Sequence, residues 1–346
     1  MVITKKLNSL QAGRGIAALM VVLYHANIKY GFGGNHFFGH MFSLGFAGVD
    51  FFFVLSGFII AYTSYHFIGH KEKTIYFIRK RFLRVYPIYW VYLMVVLAVC
   101  FLQYHDMHIF DNIWKTITLF PGHPHIIKTS WTLKFEIFFY ALFAILIFSP
   151  WSLVIITLIA IISIINAVLQ NTGTYGLFQN KQLNDLFSPF NIEFLFGILA
   201  FLIYPKINKS MIIILLICLL ITMILEILFL TGLNFEDMAC GKRIIPFGLP
   251  AFAAVLTFAA VDHLNLLKTP RIFVMLGDAS YTLYLIHLNL FIFISDTIFI
   301  PLKLSANWIM NLSIPVVIFT IWLSFMLYRY LEKPLLKKLG KAWPER

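Results

Sequence analysis

Apolar runs of eighteen residues or more recur from one end of the chain to the other, and each is about the length that crosses a ~30 Å hydrocarbon core as a helix. A chain built this way is expected to fold as an all-α polytopic membrane protein. Composition agrees, because 60% of the 346 residues are hydrophobic and 12% are charged, against about 25% charged in a soluble domain. No stretch remains that is large enough for a soluble domain. The whole chain, 1–346, therefore reads as one transmembrane domain.

Ten spans are expected, at about 9–27, 43–65, 84–103, 130–148, 151–169, 188–204, 210–231, 244–261, 278–300 and 307–328. The break between the fourth and fifth rests on Ser149, Pro150 and the combined length, and a nine-span arrangement that fuses them is the rival. The basic lead MVITKKLN precedes an apolar run with no small-residue cleavage site, so the first helix reads as retained rather than as a removed signal peptide. Ten spans put both termini on one side. That side collects eighteen Lys and Arg residues, six of them in KEKTIYFIRKRFLR, whereas the opposite loops hold seven, Arg243 among them. The basic side is expected to be cytoplasmic. Orientation accounts for most of the net charge of +12, so nucleic acid is not needed as a partner.

The three cysteines make no disulfide framework: Cys100 and Cys218 lie within apolar runs, Cys240 stands alone in a loop, and all read as packing residues. His105, His108, His123 and His125 share one long loop, but they lack a helical pair with a carboxylate partner, and Pro121 and Pro124 argue for a turn. No metal site is expected there.

The polar residues inside the spans carry the chemistry. In GRGIAALMVVLYHA, Arg14 and His25 are eleven residues apart, which on a helix is three turns plus only ~20° and a rise of ~16 Å. Separately, each has an ordinary explanation as a snorkelling or interfacial side chain. Together on one face, with Arg costing roughly 2.5–3.5 kcal/mol at a helix centre, they favour a face that lines a cavity. Asp50 in GVDFFFVLSGF is expected about two turns deep from the outer side, where the His25 ring is a natural partner and would leave its other nitrogen free as a base. Glu136 in SWTLKFEIFFY sits at similar depth, with Trp131 in an interfacial belt and Lys134 snorkelling outward. Ser56 and Gly57 read as close-packing residues. Glu193 and His287 are further candidates, balanced between structural hydrogen bonds and a substrate-binding role, and Trp131 is a third candidate for substrate binding. Arg81 and Arg84, three apart at the expected start of a helix with Arg79 and Lys80 just before, suit phosphate oxygens. A molecule with a phosphorylated head and a long thin arm, such as coenzyme A, fits cations at one end and a histidine with carboxylates toward the other.

The set RGIAALMVVLYH, GVDFFFVLSGF, RKRFLRVYP, SWTLKFEIFFY and LGDASYTLYLIH resembles the acyltransferase 3 family of integral-membrane acyltransferases. QAGRGIAAL is especially similar to bacterial exopolysaccharide and O-antigen acetyltransferases. The resemblance implies a ten-helix enzyme of the bacterial inner membrane, among membrane lipids, that moves an acetyl or other acyl group from cytoplasmic acetyl-CoA (acyl-CoA) to a hydroxyl of an extracytoplasmic glycan or lipid-linked glycan. It places the family's arginine and histidine on Arg14 and His25, its paired arginines on Arg81 and Arg84, and its acidic positions on Asp50 and Glu136. Some relatives carry a fused hydrolase-like domain. None is expected here, so the membrane domain would complete transfer. His25 is then the expected general base, with an acyl-histidine intermediate as the competing route. A proton-coupled transporter of a lipid-linked sugar or acylated intermediate, with His25, Asp50 and Glu136 as relay, is the alternative from another class.

Overall fold

A computed structural model describes residues 6–33, 37–104, 113–122, 126–172, 176–230 and 240–342. His105, His108, His123 and His125 lie outside the described residues. Twelve helices organise the rest: α1 Asn8–Tyr30, α2 Gly48–Ser64, α3 Thr74–Tyr104, α4 Trp131–Phe148, α5 Leu153–Asn171, α6 Phe190–Ile203, α7 Lys209–Leu230, α8 Leu249–His263, α9 Arg271–Asp278, α10 Ser280–Ile294, α11 Ala306–Leu327 and α12 Lys333–Ala342. Among the described residues there is no strand, as expected where apolar segments must satisfy their own backbone.

Among the described residues, nine helical segments are long and apolar enough to cross a membrane. They match the second to tenth expected spans. α1 falls outside that set because Gln11, Arg14, His25 and Lys29 interrupt its apolar run. Its 23 residues nevertheless make a helix about 35 Å long, and it packs among α2, α8, α9, α10 and α11. The fused alternative for the fourth and fifth spans is not what the chain adopts: α4 stops at Phe148, and Pro150–Ser152 form a short 3-10 turn before α5. α3 differs from expectation. It starts at Thr74, ten residues before the expected boundary, so the basic run is part of the same helix that continues through the third span. Arg81 and Arg84 thus lie two to three turns inside a helix, and the helix-start argument for phosphate does not apply to them. Cys240, expected in a loop, opens the short helix Cys240–Arg243.

Small residues set the closest helix contacts. α2 crosses α6 where Gly57 lies on the Phe194 carbonyl and Gly197 on the Val54 carbonyl, with no room for a Cβ at either; backbones approach this closely only where side chains are absent. α1 ends at Gly31 in the left-handed region, φ 67°, which glycine adopts without strain.

The start of α1 is tied down from outside. Asp262, at the end of α8, accepts from the backbone N–H of Ser9 (2.9 Å) and Leu10 (3.1 Å). Two of the amide groups that a helix start leaves unpaired are thereby satisfied by a carboxylate, which also faces the positive end of the helix dipole. Asp262→Ala is expected to destabilise the protein by about 0.5–2 kcal/mol, the usual cost of a lost cap, seen as a lower thermal midpoint in detergent. An unchanged midpoint would remove this role.

Candidate functional site

A cavity of about 340 Å³ opens beside Lys6 and runs into the bundle between α1, α2, α3, α4 and α10. Its size is that of a small-molecule site. Arg14, Arg81, Arg84 and Glu136 all line it, so four expected residues from three helices meet in one space. With Lys6, the lining has four basic side chains and one acidic one.

These cations differ in how they are held. Arg84 pairs with the fully buried Glu332 at 3.5 Å, and Glu332 also accepts from the Thr282 hydroxyl at 2.6 Å. Arg81 donates to Thr63 Oγ1 at 2.6 Å and lies over the Phe77 and Tyr140 rings, but has no carboxylate partner among the described residues. Arg14 is half-buried and makes neither a hydrogen bond nor an ion pair with any described residue. With four basic side chains and only Glu136 as an acid in the lining, the cavity suits an anion.

Glu136, expected near His25, joins the arginines instead. It accepts from the Tyr140 hydroxyl and from Ser56 Oγ at 3.4 Å. Of the two residues read as packing, Gly57 serves that purpose, whereas Ser56 faces the cavity.

His25 sits three turns from Arg14 on the unbroken α1. Its partner is His287 on α10, not Asp50. His287 Nδ1 is 3.0 Å from the Leu283 carbonyl, an acceptor, so Nδ1 carries the hydrogen and Nε2 of the neutral ring keeps its lone pair. That Nε2 lies 3.0 Å from His25 Nδ1, which is also 3.0 Å from the Val21 carbonyl. Facing two acceptors, His25 Nδ1 is the protonated nitrogen. His25 Nε2 is left with its lone pair and no hydrogen-bond partner among the described residues, which is the arrangement a general base requires.

Asp50 is fully buried and paired with the equally buried Arg243, with no hydrogen bond to His25. Glu193 lies beside Asp50, fully buried, and neither of its carboxyl oxygens meets a donor. Neither carboxylate lines the cavity. The expected histidine–aspartate pair fails because Arg243, counted among the outer loops, is drawn inside by the stronger charge partner. Lys134, expected to snorkel outward, is likewise buried and pairs with Asp185 at 2.6 Å. Trp131 packs its ring near Phe190 (5.9 Å) and Phe135 (6.1 Å), away from the cavity.

Tyr140, Glu332, Tyr284 and Arg243 were not among the expected site residues. Two of them left a trace in the sequence: Glu332 is one of two acids amid the basic residues after the last span, and Arg243 abuts the apolar run IIPFG. The described residues contain no group of three or more potential metal ligands.

A family model described as an acyltransferase domain matches residues 7–329. The chain is 28% identical over 324 residues to the exopolysaccharide production protein ExoZ of Rhizobium meliloti (strain 1021), covering 88% of this chain and 93% of that protein. It is also 39% identical over 90 residues to protein 2 in the picA locus of Rhizobium radiobacter, covering 25% of this chain and 41% of that one. No solved structure matches the chain.

Proposed function

The chain belongs to the acyltransferase 3 family, and from that premise we propose that it transfers an acetyl or other short acyl group from cytoplasmic acyl-CoA to a hydroxyl of an extracytoplasmic glycan, with His25 as general base. The observation that carries this reading is Arg14. Its guanidinium lines a cavity with Arg81 and Arg84, makes no hydrogen bond or ion pair with a described side chain, and stands on the helix whose other end presents His25 Nε2. The arginine end faces the cytoplasm in this proposal, as the basic loops on that side support.

The arginines hold the donor's phosphates, and Glu136 accepts from amide N–H groups along its arm. The donor supplies a thioester carbonyl. His25 Nε2 takes the proton of the acceptor hydroxyl as its oxygen bonds to that carbonyl carbon; the carbon–sulfur bond breaks, and the proton passes to the departing thiolate. No net proton is consumed. His287 is a positioning residue that fixes the His25 tautomer. The printed name of ExoZ, an exopolysaccharide production protein, supports a glycan acceptor.

The direct test is consumption of acetyl-CoA by purified protein together with NMR of O-acetyl groups on envelope and secreted glycans from cells with and without it. A proton-coupled transporter consumes no donor, so dependence of neither quantity on the protein overturns the proposal. Arg14→Gln should raise the apparent KM for the donor roughly tenfold to a hundredfold, the worth of hydrogen bonds to a charged group, with a smaller fall in kcat. Arg14 suits this test better than Arg84, whose removal strands the buried Glu332. An unaltered donor KM would return the arginines to an orienting role only.

A further inference from the structure

We propose that Phe52 and Tyr284 form the wall at the inner end of the donor cavity and set the size of the acyl group that can be transferred. This rests on the donor assignment above. Both residues line the cavity, whereas His25 and His287 do not, so the wall stands between the phosphate-binding space and the base. Tyr284 touches both sides of that divide: its ring is 5.8 Å from Phe52 at 64° and 5.9 Å from His287 at 56°.

The wall is held rather than loose. Tyr284 is 8% exposed, and its hydroxyl shares a hydrogen bond with Thr132 Oγ1 at 3.2 Å. Phe52 packs against three separate hydrophobic clusters of the bundle, so it cannot swing aside without disturbing all three. A donor whose phosphates meet Arg14, Arg81 and Arg84 presents its acyl group at the far end of its arm, against this pair. Close-packed interiors resist added methylenes, and one methylene in a fitted apolar pocket changes selectivity by about 10- to 200-fold. A small group passes beside the rings, while a longer one meets them.

The test compares kcat/KM for acetyl-, propionyl- and butyryl-CoA in the purified full-length protein, wild type and Phe52→Ala. Wild type should favour acetyl over butyryl at least tenfold, and Phe52→Ala should shrink that ratio at least tenfold. Tyr284→Phe, which keeps the ring, should keep the ratio. If Phe52→Ala loses all turnover, Phe52→Val and the binding of non-hydrolysable thioether analogues of the same three chain lengths give the same comparison without chemistry. An unchanged preference in turnover or in analogue binding overturns the wall. Wild type that neither consumes nor binds any of the donors overturns the donor assignment itself, which is a distinguishable result.

Discussion

Cells carrying His25→Ala, at the same membrane level as wild type, are expected to lose the O-acetyl groups that the wild-type protein restores, and the purified variant should transfer about 10²–10⁴-fold more slowly, the usual contribution of a positioned general base. The argument is one of hydrogen-bond direction. His25 Nδ1 faces the Val21 carbonyl and His287 Nε2, each at 3.0 Å, so the lone pair is on the opposite nitrogen. His25→Gln keeps a polar group of similar reach but supplies no comparable base, and should be as inactive as alanine. His287→Ala removes the tautomer lock without removing the base, so a smaller loss is expected, together with a changed pH profile that a merely structural role would not produce. If His25→Ala restores acetylation as well as wild type, His25 is structural and the acid–base mechanism is wrong. Labelled acyl groups retained on wild type but not on His25→Gln would instead favour the acyl-histidine route.

The shared face of Arg14 and His25 was legible because it depends on nothing but helical periodicity within one uninterrupted segment. The grouping of Arg81 with Arg84 was legible for the same reason. What periodicity does not encode is which helices become neighbours. His287 is 262 residues from His25, and Arg243 is 193 residues from Asp50; an aspartate placed at the depth of a histidine looks like its partner until an arginine from another helix arrives. Depth was also misleading for Glu136. Counted along its own helix it lies toward the histidine end, yet the cavity reaches far enough into the bundle, to Thr132 and Tyr284, to collect it with the arginines. The break at Pro150 was readable from the missing amide donor of proline. The early start of α3 was not, because a hydropathy boundary marks where a helix enters lipid rather than where it begins.

Removing either charge of the buried Arg243–Asp50 pair should cost more stability than the loss of the Asp262 cap. Arg243 and Asp50 are both fully buried, and Glu193 lies against Asp50 with no donor on either oxygen. Arg243→Met leaves Asp50 without its counter-charge beside a second carboxyl group, and breaking a buried pair from one side typically costs 3–5 kcal/mol. A loss of that size removes much of the stability of an ordinary domain, so the variant should reach the membrane in reduced amount and aggregate at lower temperature in detergent. Asp50→Asn alone strands the guanidinium and should do comparable harm. The double change Asp50→Leu with Arg243→Met removes both charges together, and apolar replacement of a buried ion pair is often neutral or stabilising. The double variant should therefore recover most of the folded protein. Its transfer activity then separates two roles for Asp50. Recovery of both folding and acetylation means the pair only holds α2 to the Cys240–Arg243 helix. Recovery of folding with activity still lost means the charges also act on the reaction, because a purely structural pair can be replaced by packing and a catalytic one cannot.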